Sequence, residues 1–194
     1  MFWLHVYNIV RSIVTLYIKI IYRPMIIGTD NINKEGPVIL AGNHTNQLDS
    51  LFLISSTKRS ISFLGKHTLL KGFKKYFFKS MGVIPVNRAI KDKSVIPISV
   101  DALKNNGVLG IFPEGTINRT NDIIMPFKIG AIKIAQLTGV PIVPFVINGK
   151  YKFLGNKLRI EFLKPIKVKS GNLEKENEGL MKIIEEELRK TKVK

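Results

Sequence analysis

The sequence predicts an α/β fold, a sheet flanked by helices, with an amphipathic helix at its N-terminus. Short apolar runs of strand length alternate along the chain with longer segments of helical periodicity. The 194 residues, 45% of them hydrophobic, are enough to bury one sizeable core. We therefore expect an N-terminal helical segment at residues 1–24 and a single domain at residues 25–194.

The individual elements follow from this alternation. Runs rich in Val, Ile and Phe between Gly, Pro or polar residues predict strands, and apolar residues three or four apart predict helices. Residues 174–194 mix charges and predict a solvated amphipathic helix. The predicted strands are 25–32, 38–41, 60–64, 83–86, 108–112, 142–147 and 158–162, and the predicted helices are 47–56, 68–79, 95–105, 127–137 and 180–190.

Residues 2–22 form the N-terminal amphipathic segment. Arg11 and a polar stripe interrupt it too often for a helix that spans a membrane. Aromatic residues suit an interfacial position, so we expect the helix to lie in one leaflet, with packing on the core as the alternative. The polar stripe is His5, Asn8, Ser12, Thr15 and Lys19, and the aromatic residues are Trp3, Tyr7, Tyr17 and Tyr22.

The chain is strongly basic, with a formal charge of +17, which predicts attraction to acidic partners: nucleic acid, anionic lipid or an acidic carrier protein. Residues 58–93 hold ten Lys and Arg against one acid, Asp92, and residues 71–79 interleave Lys with aromatics. This stretch fits either an anionic membrane surface or a solvated helix face. Nucleic-acid binding is disfavoured because no recognised motif accompanies the charge.

His44 and Asp49, separated by four residues, are the best indication of chemistry. A neutral imidazole can take a proton from a hydroxyl near pH 7 if a second group fixes its tautomer. Residues five apart on one regular helix point away from each other. We therefore expect His44 in the loop between strand 38–41 and helix 47–56, folded back over the helix start toward Asp49.

Three further blocks follow in the sequence. Residues 111–116 read Ile-Phe-Pro-Glu-Gly-Thr, an apolar run that ends in a tight turn. Residues 81–88 form a short apolar strand that ends in Arg88, and residues 140–145 read Val-Pro-Ile-Val-Pro-Phe. With the His44–Asp49 block, these resemble the glycerolipid acyltransferases typified by 1-acylglycerol-3-phosphate acyltransferase, over residues 25–165.

The resemblance implies the mixed sheet of the glycerol-3-phosphate acyltransferase type and an acyltransferase domain. It also makes His44 the general base and Asp49 its orienter, with Arg88 and the turn of Glu114, Gly115 and Thr116 binding a glycerol phosphate acceptor. The family usually has Arg directly after Glu-Gly-Thr, whereas this chain has Ile117 there and Arg119 two residues later. Either Arg119 reaches the same anion or the head group differs.

Direct acyl transfer is the expected mechanism. The chain has no cysteine, and Ser50 has no second base to activate it, so a covalent acyl-enzyme is disfavoured. We expect no metal and no cofactor, with acyl-coenzyme A or acyl carrier protein as the co-substrate. Backbone N–H groups near a helix start are candidates for stabilising the oxyanion.

The expected product is phosphatidic acid, made from a lysophosphatidate acceptor by acylation of its sn-2 hydroxyl. The expected location is the cytoplasmic face of the cell membrane, as a peripheral or monotopic protein. Acylation of another lysolipid is the near alternative. A non-catalytic membrane-binding or nucleic-acid-binding protein is the alternative from another class.

Overall fold

The computed structural model describes residues 2–72, 74–86, 94–155, 157–169 and 171–192. Helices and strands alternate through most of these residues, as the apolar runs predict. The helices are α1 (Phe2–Tyr22), α2 (Asp49–Ser55), α3 (Lys74–Ser80), α4 (Val95–Leu103), α5 (Gly130–Thr138) and α6 (Leu173–Lys192). The strands are β1 (Met25–Ile27), β2 (Val38–Gly42), β3 (Ile61–Lys66), β4 (Val83–Val86), β5 (Val108–Ile111), β6 (Ile142–Asn148) and β7 (Arg159–Phe162).

The seven strands form one mixed sheet in the order β1-β7-β6-β2-β5-β3-β4. Strands β6, β2, β5, β3 and β4 are parallel, and β7 pairs antiparallel with β6. The central strand β2 is buried along its whole length, as expected where helices cover both faces of a parallel sheet. The predicted α/β architecture is therefore confirmed, and the carboxyl ends of β2, β5, β3 and β4 share one edge.

Two hydrophobic clusters cover the two faces of the sheet. The first joins α1 and α2 to one face, through Ile18 and Phe52 among others. The second joins α5 and α6 to the opposite face, through Ile132 and Leu180. Alternate residues of β2 enter different clusters, because successive side chains of a strand point to opposite faces.

Helix α1 combines both behaviours considered from the sequence. One side packs on the core, where Tyr7, Val14, Ile18 and Tyr22 are buried and the Tyr7 hydroxyl accepts a hydrogen bond from Ile61 N at 2.9 Å. The placement of Tyr7 and Tyr22 at a membrane interface was therefore wrong. The other side exposes large apolar residues: Ile9, Ile13, Leu16, Tyr17 and Ile20. Among the described helices, none is long and apolar enough to cross a bilayer.

Several predicted elements have different bounds, and in three of them the difference has a clear structural setting. Strand 25–32 ends at Ile27 because Gly28 has a φ of 71°, and a Cβ there would lie 2.2 Å from the Phe162 carbonyl oxygen. Helix 68–79 divides into a 3₁₀ turn at His67–Leu70 and α3, with Gly72 at a φ of 62° between them. The C-terminal helix begins at Leu173, and it packs on the core through Leu180, Ile184 and Leu188.

Candidate active site

The loop after β2 carries the predicted base, and Asn43 fixes where that loop leaves the sheet. The Asn43 side chain is buried, donates to the Ile147 carbonyl at 2.9 Å and accepts from Ile147 N at 2.8 Å. These two bonds extend the pairing of β2 with β6 by one residue in place of a backbone ladder. His44 therefore emerges at a fixed point on the carboxyl edge of the sheet, where open α/β sheets bind ligands.

His44 and Asp49 form the predicted pair. The His44 Nδ1 lies 2.9 Å from Asp49 Oδ2, and the same oxygen accepts hydrogen bonds from Thr45 N at 2.5 Å and Asn46 N at 2.8 Å. The Asp49 side chain is fully buried, whereas that of His44 is 16% exposed. A carboxylate only accepts hydrogen bonds, so this arrangement places the imidazole proton on Nδ1 and leaves the Nε2 lone pair available as a base.

Tyr151 is a third member of this group that the sequence analysis missed. Its hydroxyl donates to Asp49 Oδ1 at 2.6 Å, from the loop after β6. Burial, with the negative charge of Asp49 beside it, strongly raises the pKa of Tyr151, so the phenol stays protonated as a donor. No local pattern in the sequence marks this residue, because its place near His44 follows from the parallel pairing of β6 with β2 in the assembled sheet.

Glu114 connects the loop after β2, which carries His44, to the loop after β5. Its Oε1 accepts from His44 N at 2.7 Å and its Oε2 accepts from Met125 N at 2.9 Å. Asn118 N donates to the His44 carbonyl at 2.7 Å, so both backbone groups of His44 are held by one loop. Burial raises the pKa of Glu114, while the two backbone N–H groups act in the opposite direction. Direct contact between Glu114 and an acceptor stays a prediction.

The turn after β5 places an aromatic ring against His44, and a lysine side chain lies over it. The Phe112 ring stacks on the His44 ring with centroids 4.1 Å apart. Gly115 has a φ of 73°, and a Cβ there would lie 2.7 Å from Lys128 Nζ, so the Lys128 side chain folds over this turn. The Lys128 backbone is fixed by a bond from its N–H to the Pro113 carbonyl at 2.8 Å.

A cavity of about 1030 Å³ opens at this edge of the sheet. Its polar lining includes His44, Gln47, Ser50, Lys66, Thr116 and Lys128. Most of its remaining lining is apolar and comes from α2, β3, α3 and β4, which suits a long hydrocarbon chain. The apolar lining includes Leu51, Ile54, Phe63, Leu64, Leu69, Phe77, Phe78, Met81, Val83 and Val86.

The other predicted binding residues are distributed unevenly. Gly115 and Thr116 line the cavity, as does the neighbouring Ile117, whereas Glu114 is not among the lining residues. Arg119 is exposed on the same loop but is not among the lining residues. Arg88 lies outside the described residues.

Comparison with known proteins agrees with this geometry. A family model described as "Acyltransferase" matches residues 23–148. A 1-acyl-sn-glycerol-3-phosphate acyltransferase of Borreliella burgdorferi is 36% identical over 132 residues, which is 66% of this chain and 52% of that protein. The protein of the same name from Saccharomyces cerevisiae is 27% identical over 186 residues, which is 89% of this chain and 58% of that protein.

The fold also has a solved counterpart. The crystal structure of a 1-acyl-sn-glycerophosphate acyltransferase, PlsC, from Thermotoga maritima matches with a TM-score of 0.78 and 20% identity, covering 95% of this chain and 80% of that one. This chain thus spans little more than half the length of the Borreliella and Saccharomyces relatives. The region matched by the family model runs from β1 to β6 and includes the loops after β2 and β5. The chain therefore belongs to the acyltransferase family.

Proposed function

We propose that this protein transfers an acyl group from acyl-coenzyme A or acyl carrier protein to the sn-2 hydroxyl of 1-acylglycerol 3-phosphate. The product is phosphatidic acid, a precursor in phospholipid biosynthesis. The observation that carries this proposal is the His44–Asp49 pair, with atoms 2.9 Å apart, whose His44 lines a large and mostly apolar cavity that Lys66 and Lys128 also line. The names of the relatives agree with this reaction.

The reaction needs one proton transfer and one acyl transfer. His44 Nε2 takes the acceptor hydroxyl proton as the oxygen attacks the thioester carbonyl, and the developing imidazolium is stabilised by Asp49. A new C–O bond forms, the C–S bond breaks, and the thiolate leaves and is reprotonated by His44. The donor thiol has a pKa of about 8.5, as a free cysteine has, so its thiolate is a good leaving group. No acyl-enzyme is formed.

The apolar part of the cavity is proposed to hold the acyl chain. Burying a CH₂ group contributes about 0.8 kcal/mol. The binding free energy of a chain that packs along Leu51, Ile54 and Phe63 therefore increases with the number of its CH₂ groups. The thioester carbonyl is then at the end of the apolar lining, next to His44. The acyl chain alone then brings the thioester carbon to His44. Coenzyme A and acyl carrier protein would therefore both be able to serve as the donor.

Lys128 is proposed to bind the acceptor phosphate. Its side chain lies over the Gly115 turn, and Lys128, Thr116 and Lys66 all line the cavity. Charge-assisted hydrogen bonds to phosphate are about twice as strong as neutral ones, so one or two ammonium groups suffice for a dianion. The roles of Arg88 and Arg119 in the same contact remain predictions.

Replacing Lys128 with Met should weaken acceptor binding and leave the chemical step largely intact. We expect the KM for lysophosphatidate to rise about tenfold, since a hydrogen bond to a charged group has a net worth of roughly 1.5–3 kcal/mol and the exposed Lys128 lies at the low end of that range. Steady-state kinetics at saturating acyl donor measures this. Lys133→Met is the matched control, because Lys133 is an exposed α5 residue that does not line the cavity. Equal KM values for both variants would contradict the assignment.

Replacing Tyr151 with Phe should lower kcat with little change in KM, since the phenol orients Asp49 and does not line the cavity. We expect a loss of about tenfold, equivalent to ~1.4 kcal/mol in the barrier. Thermal unfolding should show a loss of only ~1 kcal/mol, the usual net value of one hydrogen bond. A purely structural role would instead lower stability and leave kcat per folded molecule unchanged.

We further propose that the protein works as a monotopic enzyme at the cytoplasmic face of the cell membrane, where its lipid acceptor and soluble donor meet. The exposed apolar side of α1 and the charge of +17 support contact with an anionic surface. The two are complementary, because an apolar face gains free energy in the lipid boundary while surrounding Lys and Arg bind the headgroups.

Acylation of another lysolipid is the second candidate, favoured by Ile117 at the place where relatives of this kind usually carry Arg. The test is an acceptor panel with purified protein: lysophosphatidate, lysophosphatidylglycerol and lysophosphatidylcholine, each offered with acyl-coenzyme A and, separately, with acylated acyl carrier protein. The proposal predicts the highest kcat/KM for lysophosphatidate. A preference for an acceptor without a terminal phosphate would replace the proposed substrate with that lysolipid.

A further inference from the structure

The loop at residues 149–155, between β6 and β7, joins the candidate active site to helix α1. Tyr151 in this loop holds Asp49, and its ring packs edge-on against Tyr22 of α1 with centroids 5.4 Å apart. Leu154 N donates to the Ile21 carbonyl of α1 at 2.7 Å. The tip of the loop is therefore fixed at the C-terminal end of α1.

The tip presents two large apolar side chains to solvent. Phe153 is 68% exposed and Leu154 is 49% exposed. Ile20, one residue before the carbonyl that binds Leu154 N, is itself 54% exposed, so exposed apolar side chains of the loop and of α1 both lie at the C-terminal end of α1. Exposed apolar residues grouped in this way mark an interaction site more often than scattered single residues do.

The backbone of the tip is also held in an unfavourable conformation. Leu154 has a φ of 51°, in the left-handed region that residues with a Cβ rarely adopt. The bonds that maintain it are Leu154 N to Ile21 and Gly155 N to the Lys152 carbonyl at 2.9 Å. Strain of this kind persists where surrounding structure imposes it, and here it fixes the exposed apolar tip against α1.

The charge around this surface identifies what it contacts. The chain has no acidic residue in 1–29 and none in 123–160. Exposed cations flank the apolar residues on both elements: Lys19, Arg23, Lys150, Lys152 and Lys157. Two copies of the chain packed together through this surface would bring like charges against each other, whereas anionic headgroups would neutralise them.

We propose that Phe153 and Leu154 enter the same anionic leaflet as the exposed side of α1, so that the 149–155 loop is a second lipid-binding element. This inference rests on the proposed function for the identity of the surface. It adds a physical link, because the loop that contacts lipid also carries the Tyr151 hydroxyl bonded to Asp49. Seating the protein on its lipid surface and holding the candidate dyad would then involve one loop.

The test compares vesicle binding by full-length Phe153→Ser, the double variant Phe153→Ser/Leu154→Ser, and Leu137→Ser. Leu137 is a matched control, since it is 59% exposed but lies on α5, on the opposite face of the sheet. With vesicles of phosphatidylglycerol and phosphatidylcholine, we expect the double variant to partition at least tenfold less than wild type. Phe153→Ser should show part of this loss, and Leu137→Ser should match wild type.

Two results would overturn the inference: wild-type binding by both Phe153 variants, or a self-association of wild type in solution that these variants abolish. A short-chain, water-dispersed lysophosphatidate separates this inference from the proposed function. The variants should acylate it at the wild-type rate per folded molecule, and a lower rate would also contradict the lipid assignment. If wild type fails to acylate it, the proposed function fails, while the vesicle comparison still decides the role of the loop.

Discussion

His44→Ala is expected to lower acyl transfer by about 10²- to 10⁴-fold, the usual contribution of a general base. The reason is that Nε2 of His44 is the proposed base, on a ring that lines the cavity and whose Nδ1 is bonded to Asp49. The loss should appear in kcat, with the KM for both substrates nearly unchanged. Initial rates of phosphatidate formation at saturating substrates measure it.

The control for this variant is the other imidazole near the sheet edge. His67 lies in the 3₁₀ turn after β3 and does not line the cavity, so His67→Ala should keep most of the activity. Vesicle binding by His44→Ala should equal that of wild type, because the His44 side chain is only 16% exposed and is not one of the exposed apolar residues of α1 or of the 149–155 loop. Equal activity in wild type and His44→Ala would remove the general-base role.

Asp49→Asn is expected to reduce transfer by a comparable factor, about 10²- to 10⁴-fold, while leaving the fold intact. The amide oxygen can replace Oδ2 as acceptor for His44, Thr45 and Asn46, and the amide NH₂ can donate to the Tyr151 hydroxyl. Only the negative charge that stabilises the imidazolium is lost. Kinetics and circular dichroism on the same preparation separate charge from folding.

A double-mutant cycle sharpens this prediction. In the Asp49→Asn background, Tyr151 no longer orients a charged partner, so the further effect of Tyr151→Phe on kcat should be much smaller than in wild type. Independent, multiplicative losses would show that Tyr151 acts elsewhere. An Asp49→Asn variant with near wild-type kcat would contradict the role of the carboxylate.

The fold was largely predictable because most of its strands coincide with apolar runs that Gly or Pro residues bound. The apolar run at β2 is bounded by Pro37 and Gly42, and that at β6 follows Gly139, so strand positions follow from composition and punctuation. The errors occur where a tertiary contact determines the end of an element. Gly28 ends β1 because the Phe162 carbonyl lies against it, and no local pattern contains that neighbour.

The candidate site divides in the same way. His44 and Asp49 are five residues apart, so a loop and a helix start bring them together locally, and this pairing was predictable. Tyr151 lies 102 residues from Asp49, and their contact depends on the pairing of β6 with β2, which follows from the assembled sheet. Lys128 and Gly115 lie in the same connection between β5 and α5, and their contact depends on how that connection folds back, through the bond from Lys128 N to the Pro113 carbonyl.

The most direct test of the account is transfer of a labelled acyl group to lysophosphatidate by purified wild-type protein and by His44→Ala, with release of the free thiol measured in the same reaction. The account predicts labelled phosphatidate from wild type in equal amount to the thiol, and almost none from the variant. Folded, vesicle-bound wild-type protein that makes no acylated product with either donor, from lysophosphatidate or the other lysolipids, would contradict it.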